Sequence, residues 1–306
     1  MNWPTGWIDD PRECERIVSS LERPLFALAS PETRGTGEGK TVFLHQAMRK
    51  VFGYDPVHKQ TIGDCVSHGW GLGTDALACV EEIWHGEGHQ VFETATEPVY
   101  AHSRVEIGGG RLGSSDGSIG GWAAKSVRQG GTLVRKKYAR AGQSVDYTTY
   151  SGRKAREMGR PRVGVPDWIE PTMAEHRVQQ TSLVTSWEEY RDAIANGYPI
   201  PICSNQGFSS RRDNQGFARP EGSWAHCMLG SGLVDDARRP GGLIQNSWGE
   251  WNGGPTGEHD IPPGSFLVDA DVLDRMLRRQ DSYAMSSYQN YPRRDMEVWL
   301  AGWGEP

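Results

Sequence analysis

Apolar positions along the chain change period near its middle. Between residues 66 and 84 they recur at Leu72, Ala76, Cys79, Val80 and Ile83, the three-and-four spacing of a helix. Gly69, Gly71 and Gly73 fall in its first half. Glycine lowers intrinsic helix preference, so tertiary contacts must hold this helix, and small residues on one face let a neighbour pack closely. Shorter helices are expected over 42–53 (VFLHQAMRKVFG), stopped by Gly53, and over 122–131 (WAAKSVRQGG), stopped by its glycines. SWEEYRDAIANG, residues 186–197, carries the clearest start signal. Ser186 and Glu189 have capping-box spacing, Trp187, Tyr190 and Ile194 share a face, and Asn196–Gly197 ends the run.

Beyond residue 197 the helical period gives way to short apolar runs. YPIPICS (198–204) reads as a strand whose two prolines assign it to an edge or a bulge. HCMLGSGLVDD (226–236) and GGLIQNSWG (241–249) read as strands joined by a turn, and SFLVDA (265–270) as another, followed by a helix over 271–280. Residues 1–40, 103–121 and 141–172 lack a period; the last is read as a surface excursion. The order of elements predicts an α+β protein of two packed regions with a groove between them. We divide it into an N-terminal extension (1–54), a helical region (55–180), a β-rich region (181–270) and a C-terminal helix and tail (271–306), the aromatic end of which would dock on the body or on a partner.

Composition narrows the function. Hydrophobic residues make up 36% of the 306, but 12 Trp, 10 Tyr and 7 Phe supply large buried areas instead. The net charge is −6, and the most basic stretch, 128–140, reads as a solvated helix face or strand end, so no nucleic-acid partner is expected. No span reaches the roughly 20 apolar residues of a membrane helix. MNWPTGWIDDPRECER lacks the apolar core of a signal peptide. Five cysteines, an odd number without a close pair, fit a reducing compartment, although one disulfide stays open. The expected location is the cytoplasm of the host or producing cell, or a virion if the gene is viral. RGTGEGKT (34–41) resembles a phosphate-binding loop, but Arg34 stands where the first glycine is required, and the stretch reads as a mobile loop. His58, Cys65 and His68, or His85 and His89, form no four-ligand set of standard spacing, so neither metal nor cofactor is expected.

The chemistry gathers around HKQTIGDCVSHGWG, residues 58–71. Cys65 stands where a loop enters the long helix. There it is a buried thiol, a metal ligand or a nucleophile. A helix start favours a thiolate, whereas the adjacent Asp64 opposes one unless its carboxylate is paired elsewhere. A cysteine nucleophile needs a histidine to move its proton and a third group to fix that ring. His226 begins one apolar strand and Asn246 ends the next, so neighbouring strands would bring both to one rim.

Together these residues resemble the papain-like cysteine peptidases, family C1, and within it the divergent bacterial and bacteriophage members. Gln60, Cys65, His226 and Asn246 match the glutamine, nucleophile, histidine and asparagine of that family in order. NSWG (246–249) is intact, with Trp248 matching the tryptophan that shields the histidine–asparagine bond. Gly120–Gly121 corresponds to a Gly-Gly before a helix, and Gly264 through Val268 to a closing strand. The resemblance covers roughly residues 55–270. Gln60 stands five positions before Cys65 where six is usual, the QGxCGSCW string is absent, Trp251 is one residue early, and no helical propeptide signature precedes the body.

The resemblance implies a thiol protease acting on a peptide or protein substrate. Cys65 would attack, His226 would carry the proton, Asn246 would orient the ring, and Gln60 with the Cys65 amide would hold the oxyanion. The alternative reading is a catalytically weak or inactive papain-like module serving in binding or virion assembly.

Overall fold

The computed structural model describes residues 3–85, 91 and 93–301. His89 lies outside these residues. The helix predicted around Cys79 runs Cys65–His85, and fifteen of its 21 residues are buried. Burial on every side explains its sequence: a surface helix would show one polar face. Its glycines are points of close approach. A Cβ at Gly69 would come within 2.9 Å of Cys227 Sγ, and one at Gly73 within 2.9 Å of Met285 Sδ. The first contact brings the long helix onto the strand that carries His226.

That strand, Ala218–Val234, is the spine of a five-stranded antiparallel sheet. Ile200–Arg212 pairs along one stretch of it, Thr41–Phe43 and Gly241–Gln245 along another, and Ser265–Asp269 completes the order beside Gly241–Gln245. Ile200–Arg212 has a single partner strand and carries Pro201, as its sequence predicts for an edge. The helix Trp187–Ala195 packs on the sheet through Tyr190, whose hydroxyl donates to Gly232 O at 2.8 Å. Ser186 accepts from the Glu189 amide as predicted, but Glu189 returns its bond to the Thr185 amide, one residue before the cap. The main core joins this sheet to the long helix through Leu72, Val80, Ile202, Leu229 and Phe266, all nearly inaccessible. Each such side chain contributes about 1.5–3 kcal/mol relative to exposure.

Two expectations are corrected. Residues 141–172 are not a surface excursion: Tyr147, Met158, Val165 and Ile169 are buried and form a small core with Ala101 and Leu133. The loop at 34–41 is not free, because the Asp192 carboxylate takes the Gly35 and Gly37 amides at 2.7 and 3.1 Å. An internal carboxylate occupies the amides that a phosphate would need. All five cysteines are free and buried. The C-terminal stretch docks on the body, with Tyr283–Ser286 pairing with Gln180–Leu183 and Tyr291 buried.

Candidate active site

Cys65 is the first residue of the long helix, and its side chain is fully inaccessible. Burial, reinforced by the neighbouring Cys227, pushes the thiol well above the usual thiol range, against the backbone of Cys227 and Gly6, which lowers it. The predicted conflict with Asp64 is largely resolved by geometry. Its carboxylate accepts from Tyr150 Oη at 2.8 Å and faces His68 Nε2 at 3.5 Å.

His226 and Asn246 meet as their strands predict. The ring Nε2 lies 2.8 Å from Asn246 Oδ1, which also accepts from the Ser247 amide at 2.7 Å. An oxygen at that position fixes the proton on Nε2 and leaves Nδ1 as the lone-pair nitrogen. His226 Nδ1 is buried without a hydrogen-bond partner. Burial lowers the imidazole to about 4, against the Asn246 bond, which raises it, and with the charge of His68, which lowers it further. Trp248 stacks on the ring at 4.4 Å and 28°. Trp251 joins Trp224 and Trp248 in the same aromatic cluster despite its displaced position in the sequence.

Gln60 is tied to the same segment. Its amide N–H donates to Ser247 O at 2.8 Å, and its side-chain oxygen accepts from Ser247 Oγ. The side-chain Nε2 donates to Ile62 O at 2.9 Å and to Pro4 O at 3.1 Å. The second acceptor belongs to a segment that the sequence left irregular. Residues 3–8 lie against the strand of the histidine: Ala225 O, next to His226, takes both the Gly6 and the Trp7 amides at 3.1 Å.

No protein-family profile and no curated protein sequence matches the chain. Solved structures do. Xylellain, a cysteine protease from Xylella fastidiosa, superposes with a TM-score of 0.52 at 15% identity over 93% of this chain and 92% of that one. ProCathepsin B S9 from Trypanosoma congolense gives 0.52 at 12% identity, over 92% of this chain and 85% of that one. The chain has a papain-like fold.

Within this papain-like fold, sequence reasoning, which weighs His58 and His68 only as metal ligands, gives three further polar residues no place at the site. His58 and His68 share a contact between their Nδ1 atoms at 3.0 Å, and Tyr150 closes over His68 at 4.8 Å between ring centres. Burial, followed by the charge of His68, holds His58 well below the usual imidazole range. His68 was visible one turn after Cys65. His58 and Tyr150 come from loops with no period to follow. A fourth missed residue, Asp281, takes the Gly120 and Gly121 amides at 2.7 and 2.6 Å, which explains that glycine pair. Among the described residues no group of three or more His, Cys, Asp or Glu side chains is placed to hold a metal ion, and no helix is long and apolar enough to cross a membrane.

Proposed function

We propose that this chain is a cysteine-type peptidase in which Cys65 attacks a peptide carbonyl and His226 moves the proton. The observation that carries the reading is the half-used imidazole: Nε2 is committed to Asn246, while Nδ1 is unpartnered. The residues on either side of His226 also border the nucleophile's surroundings: Cys227 is buried in the same cluster as Cys65, and Ala225 O takes the Gly6 amide. Gln60 Nε2 already holds a peptide carbonyl, that of Pro4.

The reaction follows from these roles. The Cys65 proton passes to His226 Nδ1 as sulfur bonds to the carbonyl carbon, and the oxyanion is received by Gln60 Nε2 and the Cys65 amide. The imidazolium returns that proton to the departing amine as the C–N bond breaks, leaving a thioester. Water, deprotonated by His226, adds to the thioester; collapse releases the acid and restores the thiol. Asn246 keeps the ring in the required tautomer throughout.

A second reading, a papain-like binding or assembly module, draws on one observation: Cys65 is wholly covered, and burial raises its thiol and lowers His226, which opposes a thiolate–imidazolium pair. Alkylation of Cys65 by iodoacetamide from pH 4 to 9, in wild type and His226→Ala, separates the two. Transient opening scales the rate uniformly, so the shape of the profile reports the uncovered thiol. A midpoint well below pH 8 that is lost in His226→Ala supports the peptidase. An ordinary thiol profile shared by both proteins supports the module.

A further inference from the structure

Residues 60–65 form the turn that carries both proposed oxyanion donors, the Gln60 side chain and the Cys65 amide. One element of the stretch 141–172 is packed against it: Tyr150 with the short helix Gly152–Met158. Tyr150 Oη accepts from the Thr61 amide at 3.2 Å and donates to Asp64 Oδ2 at 2.8 Å. One hydroxyl thus spans the turn, from the residue after Gln60 to the residue before Cys65. Gly152 permits the approach, since a Cβ there would lie 2.2 Å from Thr61 Oγ1 and 3.1 Å from Ile62 Cγ2. On the same helix face, Ala155 shares a small core with Ile62 and Tyr100. Arg156 reaches the turn through an intermediary. It donates to both oxygens of Asp116 at 3.0 and 2.7 Å, and Asp116 Oδ2 accepts from the Gly63 amide at 3.3 Å. Each residue from 61 to 64 is therefore met by residues 150–156, directly or through Asp116.

The Tyr150 hydroxyl also bears on charge. Burial, then Cys227 and more weakly the charge of Asp64, raise the Cys65 thiol. A donor aimed at a carboxylate partly cancels its field. Tyr150 is the nearest donor to Asp64: Oδ1 has no partner, and His68 Nε2 stands off at 3.5 Å with His58 behind it. Arg156 and Tyr100 feel the same charge without bonding to it. Burial and then the charge of Asp64 hold the Tyr150 phenol above its usual range, so it keeps its proton and donates.

We propose that residues 150–156 are a clamp on the oxyanion turn, and that Tyr150 is a positioning residue for the nucleophile: its hydroxyl fixes the spacing of Gln60 and the Cys65 amide and shields the thiol from Asp64. The shielding half of this statement rests on the peptidase reading; the clamp does not. Tyr150 acts through Thr61 and Asp64 and not on the reacting atoms. Tyr147 and Met158, buried in the small core of this stretch, bracket the clamp and hold it in place.

The test uses the full chain carrying Tyr150→Phe, which keeps the ring and removes both bonds. Amide hydrogen exchange, read by mass spectrometry, reports the clamp without reference to activity. Peptides covering 60–64 should exchange about threefold to tenfold faster, while those covering 76–83 of the long helix stay as in wild type. Unchanged exchange at 60–64 would overturn the clamp. So would a parallel rise over 76–83, because Tyr150 would then be holding the core. Alkylation of Cys65 by iodoacetamide from pH 4 to 9 reads the shielding. In Tyr150→Phe the rate at pH 6, relative to pH 9, should fall about threefold to tenfold. Adding Asp64→Asn to the same chain should restore it. An unchanged profile would overturn the shielding role, as would a fall that Asp64→Asn does not repair, since lost packing is indifferent to that charge. An ordinary thiol profile already present in wild type would instead sink the peptidase reading, and the exchange result alone would then decide the clamp.

Discussion

His226 Nε2 stands 2.8 Å from Asn246 Oδ1, and Ser247 donates its own amide to the same oxygen at 2.7 Å. The asparagine is thus held from its backbone side before it orients the imidazole. Its Nδ2 is buried without a partner, so the oxygen carries the interaction. Asn246→Ala should leave the fold intact but free the ring to turn and change tautomer. The alkylation profile of Cys65 should move toward that of an ordinary thiol, with the rate at pH 6 falling about tenfold. An unaltered profile would remove Asn246 from the proposed mechanism.

Trp248 joins the site to its cover. It stacks on His226, meets Trp224 and Trp251 edge-on, and donates to Pro4 O. Trp248→Phe keeps most of the packing and loses the N–H, so urea denaturation should register a loss of about 1 kcal/mol. Trp248→Ala opens a cavity beside the histidine and should cost about 3–5 kcal/mol. Equal losses in the two variants would show that the aromatic packing contributes little.

The parts that sequence made legible are those whose contacts leave a local trace. The helix from Cys65 follows a 3.6-residue period, the strand half that begins at His226 and the strand before Asn246 are short apolar runs, and NSWG is a compact string, whereas the exposed half of the His226 strand, residues 218–225, has no apolar run to mark it. The segment 3–8 leaves no such trace. Its bonds go to Gln60, Ser118 and Ala225, far along the chain, and proline and glycine break any period within it. Tyr147, Met158 and Ile169 are buried by assembly of irregular turns rather than by one amphipathic element. Asp281 follows a basic helix end and reads as a solvated charge until the Gly120 and Gly121 amides are folded onto it.

The glycine-rich stretch 34–41 gives a third prediction. Its Gly35 and Gly37 amides are consumed by Asp192, itself 5% exposed on the helix that packs against the sheet. Adding Mg-ATP should leave the melting temperature unchanged. Asp192→Ala should destabilise the chain by about 1–3 kcal/mol, because the two amides lose a charged acceptor. A rise in melting temperature with the nucleotide would restore the phosphate-binding reading.

Asp75 offers a test of buried charge away from the groove. It lies on the long helix, 1% exposed; Oδ1 accepts from the Thr94 amide at 2.8 Å, and Oδ2 has no partner. Burial raises the carboxyl from 3.8 to about 7, against the Thr94 bonds, which lower it. As pH rises between those values, the unfolded chain releases the proton before the folded one does. Stability present below the unfolded value is therefore lost progressively up to about pH 7. Asp75→Asn keeps an oxygen for Thr94 and removes the titration. Urea denaturation at pH 4 and pH 8 should show the variant gaining on wild type by on the order of 3 kcal/mol across that interval. Its partnerless amide group lowers the variant by the same amount at both pH values, so the difference isolates the carboxyl. Parallel pH dependence in the two proteins would mean that Asp75 is ionised in the fold and that water or a counter-charge reaches Oδ2.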